Sequence, residues 1–407
     1  MKARLFDDAR LARWASEHGT PLYVYDAATI LKRLAELAAF DRVRFAQKAN
    51  ANLAILRLLR RAGAHVDATS AGEIERALRA GYAPAEIAYT ADVLDDAALA
   101  LVVARGIAVN AGSADMLEQL AAARWRGELA LRVNPGFGHG HDDKVNTGGE
   151  SSKHGIWHGE LASAVERARA AGLVPRTLHM HIGSGADFEH LARVCGAMRA
   201  AALVVGDSLR TISAGGGLPT PYRPSDRRIN VERYAQLWCD TRDAISADLG
   251  HRVEVEAEPG RYLVAESGLL LARVRARKRQ GGVDYLLVDA GFHNLVRPAM
   301  YGAFHQISVV GRDAEPTEPR VVAGPLCESS DVFTQRKGGG LEPQALPDAR
   351  VGDLVCIHDC GAYASSMASN YNSQPLAAEL LVEDGVARLV RRRQDFDHLL
   401  ALEVDGD

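Results

Sequence analysis

The chain has 407 residues, 47% hydrophobic and 25% charged, the balance of a soluble globular enzyme, which excludes disordered and fibrous architectures. Lys plus Arg number 48 against 52 for Asp plus Glu, a net charge of −4. That lacks the basic excess that binding a phosphate backbone requires, so no nucleic-acid partner is expected. The longest apolar run, 97–104, falls far short of the roughly 18 residues that cross a bilayer, so no membrane partner is expected either. The start carries Asp7, Asp8 and Glu17 and no apolar stretch, unlike a secretory signal. Five Cys without a C-x-x-C pair argue against a disulfide framework or a structural zinc site. The expected location is the cytoplasm.

Up to about residue 260 the chain alternates short β-branched segments with Ala/Leu-rich amphipathic ones. The pattern predicts strands at 43–46, 66–69, 87–90, 108–110, 129–133, 178–181, 211–214 and 253–258. Helical patterns lie between them, such as 52–62, 71–80, 114–122, 160–171 and 231–249. Within 71–80, Ile74, Ala77 and Leu78 fall at the helical spacing i, i+3, i+4, and Gly63, Gly81 and Gly172 sit where C-terminal caps are expected. Eight strands alternating with helices predict a closed parallel barrel. An open doubly wound sheet is the alternative, and no G-x-G-x-x-G follows the first strand to favour it. After Arg261 the helices give way to Val-rich segments at 269–274, 285–288, 320–322, 354–357 and 387–390. Turn signals such as Gly281-Gly282 separate them, as in an antiparallel β domain. The expected fold class is α/β: a (β/α)8 TIM barrel over 21–262 and a C-terminal, mostly antiparallel β domain over 263–407. The first 20 residues are assigned to the β domain.

A parallel barrel builds its site at the C-terminal ends of its strands, and the polar residues cluster there. Lys48 closes strand one. It reads either as a partner in a rim ion pair or as a desolvated amine poised for covalent chemistry. Gly215, Gly216 and Gly217 close strand seven and offer successive backbone N–H groups to a phosphate; elsewhere, three glycines would simply be a loop. Glu254, Glu256 and Glu258 alternate on the last strand, where an inward carboxylate needs a cationic or proton-bearing partner. A pyridinium nitrogen would serve. Lysine, phosphate cradle and carboxylate together describe pyridoxal 5′-phosphate (PLP). His179 and His181 share a strand face, but without the further His and Asp ligands of a barrel metal site they read as core or stacking residues, and no metal is expected.

Seven motifs carry a resemblance: Phe45-Ala46-Gln47-Lys48-Ala49-Asn50, the segment from His179 to Ser184, the glycine triplet, Glu258-Pro259-Gly260-Arg261, and the segments 297–301, 324–331 and 359–363. In this order they resemble the motifs of the diaminopimelate decarboxylase family, PLP enzymes of the alanine racemase and ornithine decarboxylase fold type, over about residues 20 to 400. The stretch 134–157 resembles the shorter bacterial form. The resemblance implies a PLP barrel, a β domain and a homodimer with shared active sites. It implies that Lys48 carries the cofactor covalently, His181 stacks on its ring, the glycine triplet holds its phosphate and Glu258 pairs with its nitrogen. Ser184, Gly260, Arg261 and Tyr363 are further cofactor contacts by the same token. Arg261, Arg297, Tyr301, Glu328 and Tyr363 would contact an amino-acid substrate, with Cys327 as proton donor. Cys327 and Glu328 would come from the second subunit. Guanidinium groups suit a substrate with a distal carboxylate, which they grip as a fork.

The chain departs from the family pattern at His293, Asn294, Ser330, Ala364 and Gln374. Asn294 and Gln374 are thus expected to line the distal end of the substrate site. The expected reaction is decarboxylation of meso-2,6-diaminopimelate to L-lysine. The alternatives are a decarboxylase for another basic amino acid or related intermediate, a non-catalytic PLP-binding protein, and a metal-dependent hydrolase.

Overall fold

The computed structural model describes residues 4–138, 148–181, 183, 185 and 187–404. The chain divides into two compact units: 31–219 with 228–263, and 1–30 with 220–227 and 264–407.

The first unit is the barrel. Its strands are Arg42–Ala46, His65–Ala68, Ile87–Ala91, Ala108–Ala111, Leu129–Asn134, Pro175–His179, Thr211–Ser213 and Glu254–Ala257. Each pairs in parallel with the next, and the eighth closes on the first through Glu256 opposite Arg42 and Ala257 opposite Val43. Burial drives the closure. Phe45, Val66, Val109, Leu131, Leu178, Ile212 and Val255 are fully enclosed or nearly so. The helices begin where side chains cap them. Ser70 accepts from the Glu73 amide ahead of Ala71–Ala80, Asp95 from Ala98 ahead of Asp96–Arg105, and Asn230 from Arg233 ahead of Val231–Leu249. Gly81 ends the first of these helices in the left-handed conformation, φ 100°, a cap favoured by glycine.

The second unit is built on a sheet whose order is Gln344–Pro347, Thr317–Ala323, Val283–Val288, Gly268–Gln280, Leu22–Asp26, Ala378–Glu383, Val386–Arg391. Leu354–Ile357 joins Gly268–Gln280 to Ile307–Val309. Most pairings are antiparallel; two are parallel. Helix Asp8–His18 lays Leu11, Trp14 and Ala15 onto Leu22, Val24, Leu269, Leu271 and Leu380, and Phe6 meets Trp14 edge-on at 5.1 Å. The sequence pattern starts the barrel at residue 21. In the structure 21–30 group with the β unit, because Leu22–Asp26 is an inner strand of its sheet, antiparallel to Gly268–Gln280 and parallel to Ala378–Glu383. Residues 220–227 group with it too.

Candidate active site

In the barrel unit the chain turns into a single 3-10 turn, Gln47–Ala49, straight after the first strand. Gln47 and Ala49 point inward and are buried, while Lys48 is exposed. The turn places Lys48 just past the end of the first strand. Gln47 Nε2 donates to the carbonyl of Glu73 at 3.1 Å. The eighth strand braces the turn, with the Ala46 amide donating to the carbonyl of Pro259 at 3.2 Å. A Cβ on Gly260 would lie 3.2 Å from the Cβ atoms of both Ala46 and Ala49, so glycine there permits the close approach.

Glu258 is 7% exposed. Its Oε2 accepts from His179 Nε2 at 2.9 Å and its Oε1 from Ser213 Oγ at 2.8 Å. Burial pushes its carboxyl up, but His179, the Ser213 hydroxyl and Arg44 outweigh it and hold the group below the ordinary carboxylate range. Asp67, across the barrel end, is shifted the other way, by burial first and by the Glu258 charge second. Two buried carboxyls so close do not both ionise readily, and Glu258 is the one that stays an anion. Glu256 and Glu254 are turned to other work. Glu256 pairs with Arg44 at 3.0 Å and Arg42 at 3.1 Å, and Glu254 with Arg42 at 3.3 Å. Their cationic partners are arginines of the first strand.

His181 is kept neutral by desolvation and by the charges of Arg132 and Lys48. The glycine triplet lies against it: a Cβ on Gly215 would come within 2.7 Å of the His181 Cβ, and one on Gly216 within 2.8 Å of the Glu258 carbonyl. Gly217 has φ +96°, and a Cβ there would overlap the carbonyl oxygen of Gly183. The structure thus gathers Lys48, Asp67, Arg132, His181, the glycines and Glu258 at one end of the barrel. Ser184 lies outside the described residues. Arg261 opens a short helix, Arg261–Val264, directly after this cluster.

In the β unit, Arg297 is 5% exposed at the head of helix Arg297–Tyr301. Its Nη1 donates to His305 Nε2 at 2.7 Å, and its guanidinium lies 4.5 Å from the centre of the Tyr222 ring. Tyr301, at the other end of that helix, is partly exposed. Cys327 and Glu328 are exposed on a loop organised by Asp331. Asp331 accepts from the amides of Leu326 at 2.8 Å and Phe292 at 2.7 Å. Asn372 Oδ1 accepts from the Cys327 amide at 3.0 Å. Tyr363 stands at φ 56°, left-handed for a non-glycine residue and so a strained position. Asn294 does not line an open site. It is fully buried, its Oδ1 accepting from the Gly291 amide at 3.3 Å and its carbonyl from the Tyr23 hydroxyl at 2.5 Å. Gln374 sits in a turn, where its amide donates to the carbonyl of Tyr371. Sequence reasoning missed Ser213, His305 and Asp331 as organisers. A serine two residues ahead of a glycine triplet was the one local signal available.

A closed barrel with a lysine past its first strand, a glycine cradle past its seventh and a buried anion past its eighth defines a pyridoxal-dependent barrel enzyme. Residues 27–265 match the family described as pyridoxal-dependent decarboxylase, pyridoxal binding domain. Diaminopimelate decarboxylase of Escherichia coli K12 is 52% identical over 97% of this chain and 96% of its own, and that of Streptomyces coelicolor 52% over 98% and 92%. A solved diaminopimelate decarboxylase shares 51% identity and superposes with a TM-score of 0.95 over 98% of each chain. The Helicobacter pylori enzyme, crystallised with L-lysine, gives 31% and 0.87 over 97% of this chain and 99% of that one. The chain belongs to the diaminopimelate decarboxylase family, and its cofactor is PLP. The residues fit that group. A Cβ on any of the three glycines would strike backbone. The Gly215 amide donates to Ser213 Oγ at 3.2 Å, so the amides of Gly216 and Gly217 are the ones offered to a phosphate, and a buried carboxylate held as an anion suits a pyridinium.

Proposed function

We propose that this chain decarboxylates meso-2,6-diaminopimelate to L-lysine and CO2, the last step of lysine biosynthesis, as a cytoplasmic homodimer with shared active sites. The observation that carries the reading is identity of 52% to a diaminopimelate decarboxylase across 97% of the chain. The reactive motifs all lie within that span. When bound, PLP supplies an electron sink for the pair left on the substrate Cα when its carboxylate departs.

The chain's own residues do the rest. Lys48 Nζ would hold the cofactor covalently at the end of the barrel. Glu258 keeps the negative charge that a protonated pyridine nitrogen would pair with. His181, kept neutral by burial and by Arg132 and Lys48, would stack on the cofactor ring. The amides of Gly216 and Gly217 would bind the phosphate, with Gly215, tied to Ser213, turning the chain to present them and with Gly260, Arg261, Ser184 and Tyr363 around the same group. Arg297 binds the distal carboxylate as a fork. Arg261, Tyr301, Tyr363 and Glu328 complete the substrate shell, and Cys327 Sγ delivers a proton to Cα. Cys327 and Glu328 come from the second subunit.

The test is a screen of amino acids for CO2 release by the holoenzyme, with chiral analysis of the product. Release from meso-diaminopimelate to give L-lysine is the expected result. Faster release from ornithine or lysine would overturn the substrate assignment.

A further inference from the structure

Both carboxylate oxygens of Glu258 are engaged by side chains of the barrel itself. His179 Nε2 lies 2.9 Å from one and Ser213 Oγ 2.8 Å from the other. An imidazole nitrogen that close to a carboxylate oxygen carries the hydrogen, so His179 donates through Nε2. Its ring is 2% exposed, and its Nδ1 has no hydrogen-bond partner among the described residues. Glu258 is therefore the polar anchor of this ring. Ser213, fully buried, also accepts from the Gly215 amide at 3.2 Å, while the Glu258 amide donates to the Gly215 carbonyl at 2.8 Å. The carboxylate and the first glycine of the cradle are thus tied into one closed loop of hydrogen bonds. Any ring of similar size could fill the space that His179 occupies. Only a donor at this position fixes the angle of the carboxylate.

We propose that His179 is a positioning residue for the cofactor: together with Ser213 it locks the Glu258 carboxylate in the orientation and charge that the pyridine nitrogen of PLP requires. This rests on the reading of Glu258 as the partner of that nitrogen. The other groups that act on Glu258 are Arg44 from the first strand, Asp67 from the second, Arg132 from the fifth, His181 beyond the sixth and Tyr234 from helix Val231–Leu249. Of these, Arg44 and Arg132 are the cations, and the structure gives neither a hydrogen bond to Glu258; Arg44 donates to Glu256 at 3.0 Å. They set charge without setting angle.

The experiment compares His179→Leu, which removes the donor, with His179→Gln, whose amide nitrogen reaches about the place of imidazole Nε2. PLP affinity of the apoenzyme, the pH titration of the bound cofactor's absorbance, and kcat and KM are measured on each. Losing one hydrogen bond to a charged group corresponds to about 10- to 100-fold. The Leu variant is therefore expected to bind PLP more weakly by about that factor, with a displaced absorbance titration and a fall in kcat that exceeds any change in KM. The Gln variant is expected to recover most of the affinity and the wild-type titration. A folded Leu variant with unchanged PLP affinity and titration overturns the proposal, as does a Gln variant as impaired as Leu. Should the Leu variant not fold, the same comparison runs between His179→Asn, whose shorter amide stops short of Glu258, and His179→Gln; equal values overturn it. Glu258→Gln separates the two layers. If it too is unaltered, the reading of Glu258 itself fails; if it alone is impaired, only the role of His179 does.

Discussion

Arg297 donates to His305 Nε2 at 2.7 Å, and His305 Nδ1 faces the carbonyl of His358 at 2.8 Å. That carbonyl can only accept, so Nδ1 carries the hydrogen and Nε2 is left as the acceptor the guanidinium needs. The Tyr222 ring lies 4.5 Å from the Arg297 guanidinium and 5.2 Å from His305, so one face and one nitrogen of the arginine are set before substrate arrives. His305→Leu is expected to raise KM for meso-diaminopimelate about tenfold, the worth of one hydrogen bond to a charged group, with a smaller change in kcat. Steady-state kinetics checks it, and an unchanged KM would show that Arg297 needs no such support.

His293 is 1% exposed and its Nδ1 has no partner among the described residues. Burial lowers its pKa to about 4. Above pH of about 6.5 the ring is neutral folded or unfolded. Below it, only the unfolded chain takes up the proton, so stability is complete above the unfolded value and is lost as pH falls toward 4. By pH 5 the loss is on the order of 1–2 kcal/mol. His65, lowered to about 4 chiefly by burial as well, shifts in the same window. His293→Asn should therefore flatten the fall in thermal midpoint between pH 7 and pH 5. A slope identical to that of the wild type would assign the acid sensitivity elsewhere.

The barrel was legible because its signals are local. Each strand is a short β-branched run followed within a few residues by a capped helix, and the pairing partner is the next strand along. The inner β-domain strand Leu22–Asp26 was not, because its partners start at Gly268 and Ala378, and nothing near residue 22 announces them. Among site residues, Lys48, the glycine triplet and Glu258 end strands, where position alone marks them. The bond from His179 to Glu258 spans two strands, and that from Arg297 to His305 depends on how the chain folds back after a five-residue helix. Spacing in the sequence encodes neither.

The glycine cradle has a sharp test in Gly217. At φ +96° with the Gly183 carbonyl against it, a side chain costs about 1–2 kcal/mol in backbone strain alone, and the steric overlap adds to that. Gly217→Ala is expected to purify with little or no PLP and to regain less than about a tenth of the wild-type affinity, a loss of 1.4 kcal/mol or more. Gly72 supplies the control, for its nearest neighbour to an added Cβ is 3.9 Å away. If Gly217→Ala holds PLP as well as Gly72→Ala does, the triplet is not the phosphate cradle.

The proposed sharing of the active site between subunits predicts complementation. Cys327 and Glu328 sit on an exposed loop of the β unit, whereas Lys48 follows the first strand of the barrel unit. If the loop serves the neighbouring subunit's barrel, Lys48→Ala and Cys327→Ala are each inactive alone. A heterodimer of the two then contains one site with both residues intact and one with neither. Random assortment makes about half of the closed two-fold dimers heterodimers. With one good site in each and independent turnover, the mixture should recover roughly a quarter of wild-type activity. The variants are co-expressed, or unfolded and refolded together, because subunits must exchange before sites can be rebuilt. Native mass spectrometry confirms that heterodimers form. Activity that stays at the level of the single variants in a confirmed mixture would place Cys327 in its own chain's site, and Glu328, one residue along on the same loop, would move with it.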